Sequence, residues 1–149
     1  MNIFNPQYGS LFSNYGYGIE TLSDIGNSLD YVMDENSSDA AFRTIVEVVI
    51  ELYDNNFITI HSWDPAIKNP KYSFKSTRDL GEYILNEVFK QDDWTGRQYG
   101  IALFMYTPEY LEILKQNNID INTDWDWFNN EFVPDIPRLM NEKKIECLD

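Results

Sequence analysis

Cysteine and histidine are almost missing from this sequence, with one residue of each, Cys147 and His61, among 149. One cysteine cannot form an intramolecular disulfide or complete a metal cluster built on cysteine. One histidine offers no pair of imidazoles for zinc, and His61 falls in a predicted strand, where a structural role is the commoner one. The sequence also lacks a Gly-rich phosphate loop, a G-x-S-x-G elbow and an H-E-x-x-H motif. We therefore expect no cofactor, no metal and no enzymatic activity.

Basic residues are scarce as well. The chain has 11 Lys and Arg residues against 25 Asp and Glu residues, a formal net charge of −14, and no basic residue precedes Arg43. Because proteins bind phosphates through cationic side chains that release counterions, neither nucleic acid nor an anionic membrane surface is an expected partner. Negative charge can simply keep a protein soluble, or it can attract a basic protein, and composition alone leaves both interpretations open.

Long apolar segments are the third absence. No run approaches the roughly 20 residues that a membrane helix needs. The start of the chain, MNIFNPQYGSLFSNYGYG, lacks the positive charge and apolar centre of a secretory signal, so we expect a cytoplasmic protein. Hydrophobic residues make up 43% of the sequence and no repeat or linker divides it, which predicts a single domain over residues 1–149.

Residues 39–63 carry the most regular pattern, which predicts a helix running into a strand. Apolar residues recur every three or four positions, and Val48 and Ile50 widen this face until little of the helix is left for solvent. Asn55-Asn56 tolerates the left-handed conformation in which helices often end. The strand, residues 57–63, is expected to turn Ile58, Ile60 and Ser62 toward the core.

Helix caps and helix breakers predict the remaining elements. Residues 1–18 are expected to be an irregular, aromatic-rich segment, with helices within 19–33 and over 77–90 and a strand at 100–106 that pairs with 57–63. Another helix follows the N-cap Thr107, and a short one is expected from Asp124 to about Phe132, with Thr123 as its cap and with Pro134 and Pro137 ending it. The last dozen residues are expected to form a final helical turn or to fray.

These elements predict the α+β class, with about five helices around a small antiparallel sheet. The residues expected to form the core are Ile45, Val49, Leu52, Ile58, Ile60, Leu80, Ile84, Leu103 and Leu111. A DNA-binding winged helix is the alternative architecture. Its recognition helix would need cations, and residues 77–89 offer Arg78 against three acids.

Acidic and aromatic residues alternate in residues 120–135, DINTDWDWFNNEFVPD, here called the acidic-aromatic segment. In one interpretation the rings belong to the core and the acids form its solvated face. In the other the segment is an interface, where rings anchor a partner and carboxylates attract its positive charge. The stretch Asp92-Asp93-Trp94 repeats the combination on a smaller scale. The candidate partner-binding residues are Asp92, Asp93, Asp120, Asp124, Asp126, Trp127 and Glu131.

The succession from IVEVVIELYDNNFITIHSWD through a helix ending before DDW to a strand leading into YTPEYLEIL resembles small bacterial immunity proteins. These belong to polymorphic-toxin and contact-dependent growth inhibition systems, and the resemblance covers roughly residues 39–114. Asn56 stands where glycine is commoner in them. The resemblance implies a non-enzymatic protein that binds and blocks a co-encoded toxin, often a nuclease, and it assigns no individual residue to a site.

The sequence thus predicts a cytoplasmic, acidic inhibitor of a basic protein toxin. The alternatives are an acidic adaptor or nucleic-acid mimic and, less favoured, a hydrolase that uses paired carboxylates. The identity of the toxin and the oligomeric state do not follow from these patterns.

Overall fold

The computed structural model describes residues 2–13, 22–29, 39–61, 79 and 103–148. These ranges contain a 3-10 helix (Pro6–Phe12), α1 (Leu22–Ser28), α2 (Asp39–Asp54), β1 (Ile58–His61), β2 (Leu103–Tyr106), α3 (Pro108–Gln116), α4 (Trp125–Trp127), a π turn (Phe128–Phe132) and α5 (Val133–Leu148). Strands β1 and β2 pair antiparallel, with Ile58 opposite Tyr106 and His61 opposite Leu103. The predicted α+β class is confirmed, with five α-helices and a two-stranded antiparallel sheet in the described ranges.

The N-terminal segment contains a short helix where an irregular stretch was expected. The Asn5 side chain accepts a hydrogen bond from the Gln7 N–H at 3.2 Å, and Pro6 occupies the first turn, where its missing N–H costs nothing. Ile3 and Leu11 are fully buried. The 3-10 helix contacts α1, the π turn and α5, so this segment forms part of the core rather than covering its outside.

Helix α2 is buried on several sides, as predicted. The core residues that it supplies are Phe42, Ile45, Val46, Val48, Val49 and Leu52. The helix ends at Asn56, which adopts a left-handed φ of 64°. The Phe57 N–H donates to the Leu52 carbonyl at 2.9 Å and the Asn56 N–H to the Tyr53 carbonyl at 3.1 Å. These two bonds form a Schellman motif, which satisfies carbonyls that the helix end would leave unpaired.

Helix α3 ends with the same motif. Asn118 has a φ of 56°, and the Ile119 N–H donates to the Leu114 carbonyl at 3.0 Å. Ile119 and Leu114 are both buried, which is the apolar contact that commonly accompanies this motif. Each pair of consecutive asparagines therefore stops a helix, as the sequence predicted.

Thr107 joins the start of α3 to the end of α2. Its hydroxyl accepts from the Tyr110 N–H at 3.2 Å, which makes it the predicted N-cap. The same hydroxyl donates to the Asn56 carbonyl at 2.6 Å, and the Thr107 N–H donates to the Phe57 carbonyl at 2.8 Å. Since Thr107 is almost fully buried, these bonds satisfy polar groups that water does not reach.

A cluster of aromatic rings occupies the space between the N-terminal segment, the sheet and α3. Phe57 belongs to it: strand alternation predicted the opposite face, yet only 1% of this residue is exposed, because it lies in the turn before β1. Its ring centroid is 5.6 Å from that of Phe12 and 5.2 Å from that of Tyr110. The Tyr110 hydroxyl donates to the Phe12 carbonyl at 2.6 Å, and the Tyr106 hydroxyl donates to the Leu11 carbonyl at 2.5 Å.

Part of the predicted core can be compared with the structure. Ile45, Val49, Leu52 and Ile58 are buried, which confirms their assignment, and Leu111 is half-buried against the core. The side chains of Ile60 and Leu103 lie outside the described residues, as do Leu80, Ile84 and the rest of the helix predicted over 77–90 apart from Asp79.

The prediction that Pro134 and Pro137 end the helix was wrong. Helix α5 runs from Val133 to Leu148 with both prolines in it, and it follows the π turn without a break. In the π turn the Val133 N–H donates to the Phe128 carbonyl five residues earlier, so hydrogen bonding changes register at this point. Pro134 then falls in the first turn of α5, where a missing amide is tolerated, while Pro137 lies in the helix interior.

Candidate protein-binding surface

The acidic-aromatic segment lies on the surface, and it carries five of the seven predicted partner-binding residues. Those five are Asp120, Asp124, Asp126, Trp127 and Glu131, and all are exposed. Asp92 and Asp93 lie outside the described residues. Between Lys115 and Arg138 the sequence has five acidic residues and no basic one, so this surface is uniformly negative.

A hydrogen-bonded turn leads into the segment and sets the start of its helix. The Asp120 N–H donates to the Thr123 hydroxyl at 2.8 Å, and the Asn122 N–H donates to the Asp120 carboxylate at 2.8 Å. The Thr123 hydroxyl is thus used within the turn. Asp124 is the N-cap instead of the predicted Thr123, since its carboxylate accepts from the Trp127 N–H at 2.9 Å.

The four rings of the segment divide into two pairs, so each of the two interpretations from the sequence holds for part of it. Phe128 and Phe132 are buried, with centroids 5.1 Å apart, and they belong to the core. Trp125 and Trp127 are 44% and 45% exposed. The Trp127 centroid is 6.0 Å from that of Phe132, so the indole lies against the core and presents part of its ring to solvent.

A groove with a volume of about 470 Å³ lies beside the Trp127 ring. The residues that line it are Asn117, Trp127, Asn130, Glu131, Phe132, Pro134 and Asp135. The π turn and the first turn of α5 supply most of this lining, and Asn117 reaches it from the end of α3. π turns occur disproportionately at functional sites, because they change which residues face outward. The sequence patterns pointed to Trp127 and Glu131 but gave no sign of the groove itself.

The two carboxylates of the groove have different surroundings. Asp135 forms a bidentate ion pair with Arg138, with N–O distances of 2.8 and 2.5 Å, and the Arg138 guanidinium lowers the pKa of this carboxyl below its usual value. Arg138 also binds Glu142 at 2.6 Å. Within the described part of the chain Glu131 has no such cation, so it is the groove carboxylate that can pair with a charge from outside.

Two further properties concern metal binding and membranes. Among residues 2–13, 22–29, 39–61, 79 and 103–148, no three His, Cys, Asp or Glu side chains come together as a metal site would require. No helix in the described ranges combines the length and the apolar character needed to cross a bilayer.

Comparison of the chain with models of protein families, with curated proteins and with solved structures finds no significant match.

Proposed function

We propose that this protein is a non-enzymatic inhibitor that binds a basic, co-encoded bacterial toxin in the cytoplasm and neutralises it. The observation that carries the proposal is the half-exposed Trp127 ring on a surface with five acidic residues and no basic one. Tryptophan is enriched among the residues that dominate binding energy at protein interfaces. Surrounding carboxylates accelerate encounter with a cationic partner and reject acidic ones.

A nuclease suits this surface as the target. Nucleases bind a polyanion, so their substrate clefts are cationic, and an acidic protein surface can occupy such a cleft in place of nucleic acid. The resemblance of residues 39–114 to immunity proteins supports the same assignment. Gene context is the first check, because an immunity gene should directly follow the reading frame of its toxin.

The direct test is co-expression of this chain with the product of the adjacent gene. We expect the two proteins to co-purify, and we expect this chain to restore growth to cells in which the adjacent gene product is toxic. The double variant Asp126→Asn/Glu131→Gln should weaken both effects. The matched control is Glu47→Gln/Asp54→Asn, which removes the same charge from exposed positions of α2 and should leave both effects intact.

Two results would contradict the proposal. If the neighbouring protein is not toxic, or is toxic and is not bound, the inhibitor function is wrong. If the chain binds unrelated basic proteins as tightly as its neighbour, it is an acidic adaptor or a nucleic-acid mimic without a dedicated target.

A further inference from the structure

The polar side chains of the groove beside Trp127 all present hydrogen-bond acceptors. The Asn117 side-chain nitrogen already donates to the Ile113 carbonyl at 2.8 Å, and that of Asn130 donates to the Asp126 carbonyl at 2.9 Å. Each asparagine therefore has its amide oxygen left to offer. Together with the Glu131 carboxylate these groups form a site that suits a donor, and it lacks donors for an anion.

The Trp127 ring adds a second contact of matching chemistry. A cation is attracted to the face of an indole by the ring quadrupole, and tryptophan is the strongest aromatic partner in such contacts. Here the ring is 45% exposed and lines the groove with Phe132 and Pro134, so an entering side chain also meets apolar surface. The groove volume of about 470 Å³ lies within the range of small-molecule sites, about 300–1,000 Å³.

Charge selects between the two groove carboxylates. Both Asp135 oxygens are occupied by Arg138, whereas Glu131 is exposed and has no cation from the described residues. A cationic ligand would therefore pair with Glu131 and not have to displace Arg138.

We propose that this groove binds an arginine side chain of the basic partner, with the guanidinium group stacked on the Trp127 ring and paired with the Glu131 carboxylate. Guanidinium fits better than ammonium because it is planar, stacks on aromatic faces and carries five donors for several acceptors at once. The inference rests on the proposed function for the identity of the partner, since it names the contact by which that partner is held.

A short peptide tests the groove without the partner. The probe is acetyl-Gly-Arg-Gly-amide, titrated into the full-length, nitrogen-15-labelled protein while the indole N–H signal of Trp127 is followed by NMR. We expect saturable binding with a Kd on the order of 1 mM. The same peptide with citrulline, which has the shape of arginine and no charge, should bind at least about tenfold more weakly, and the lysine peptide should fall between them.

Variants assign the two contacts. Glu131→Gln keeps the shape of the side chain and should weaken arginine-peptide binding about fivefold to tenfold, whereas Glu47→Gln on α2 should leave it unchanged. Trp127→Leu should abolish binding as observed through the backbone signals of residues 130–135. Retention of the remaining amide spectrum shows that this variant is folded, and the Glu131→Gln result does not depend on it.

The groove proposal is overturned if the arginine and citrulline peptides bind equally, if Glu131→Gln binds as tightly as the wild type, or if no saturation occurs up to about 50 mM peptide. Failure of the inhibitor function looks different. In that case the peptide still binds while the neighbouring gene product does not. Conversely, a toxin neutralised equally by wild type, Glu131→Gln and Trp127→Leu would leave the inhibitor function standing and exclude this groove as its contact.

Discussion

At the scale of single residues, the closest packing joins the N-terminal segment to the π turn. A Cβ atom added at Gly9 would lie 1.8 Å from the Asn129 side-chain oxygen and 2.7 Å from its Cγ. Protein interiors do not accommodate an atom at such distances without moving a neighbour. Glycine at position 9 therefore lets the 3-10 helix approach the segment that carries the candidate surface.

Gly9→Ala should lower the free energy of unfolding by about 1–3 kcal/mol, because the added methyl group forces Asn129 out of its position. Urea unfolding measures this loss. In an Asn129→Ala background the same substitution should cost much less, since the atoms that it would meet have been removed. Equal losses in the two backgrounds would show that Asn129 is not what excludes a side chain at position 9.

The paired asparagines at the end of α3 have different conformations and should respond to substitution in opposite order. Asn118 has a φ of 56°, while Asn117 has a φ of −96°. At position 118 alanine should lower the free energy of unfolding by about 1 kcal/mol relative to glycine, because a Cβ atom is strained in the left-handed region. At position 117 alanine should be the more stable of the two, since glycine there only adds freedom to the unfolded chain. Thermal unfolding of the four variants tests this, and the same order at both positions would contradict the cap assignment.

At the scale of elements, α2 follows directly from its sequence because its pattern is long and its ends are marked. Val49 and Leu52 are fully buried in it. Truncation of either residue to alanine should cost about 2–4 kcal/mol in urea unfolding, from lost burial and the cavity left behind. Glu47→Ala, on the exposed side of the same helix, should change stability by less than about 0.5 kcal/mol. A loss below about 1 kcal/mol at both buried positions would mean that the packing of α2 is wrong.

Other elements could not be predicted because a local period changed without a mark in the sequence. Strand alternation assigned Phe57 to the wrong face, since the Schellman bonds of α2 place this residue in a turn before the alternation begins. Prolines at 134 and 137 indicated a break, but the π turn shifts the hydrogen-bond register just before them.

The candidate surface shows the same limit. The sequence identified the acidic-aromatic segment, yet it could not divide the rings into buried Phe128 and Phe132 and half-exposed Trp125 and Trp127. Nor could it reveal a groove whose lining joins Asn117 of one element to Pro134 of another, because that proximity comes from packing between elements.

At the scale of the whole molecule, the net charge of −14 gives the account its most general consequence. A strongly acidic protein and a basic partner attract each other before contact, so charge should act mainly on the rate of association. The anchoring ring acts after contact, so Trp127→Ala should mainly speed dissociation while the melting temperature stays near that of the wild type. A Trp127→Ala variant that loses binding because it unfolds would instead assign this ring to the core.

The central claim is that the acidic surface around Trp127 meets a basic protein, and the association rate measured against ionic strength tests it most directly. Stopped-flow mixing with the purified adjacent gene product should show association slowing steeply between about 50 and 500 mM salt, as the screening length falls from about 14 to about 4 Å. Asp124→Asn/Asp126→Asn should associate more slowly with a flatter salt dependence, and asparagine preserves the helix cap at position 124. Glu47→Gln/Asp54→Asn removes equal charge from α2 and should retain most of the wild-type salt dependence. An association rate that does not change over this salt range would contradict the account.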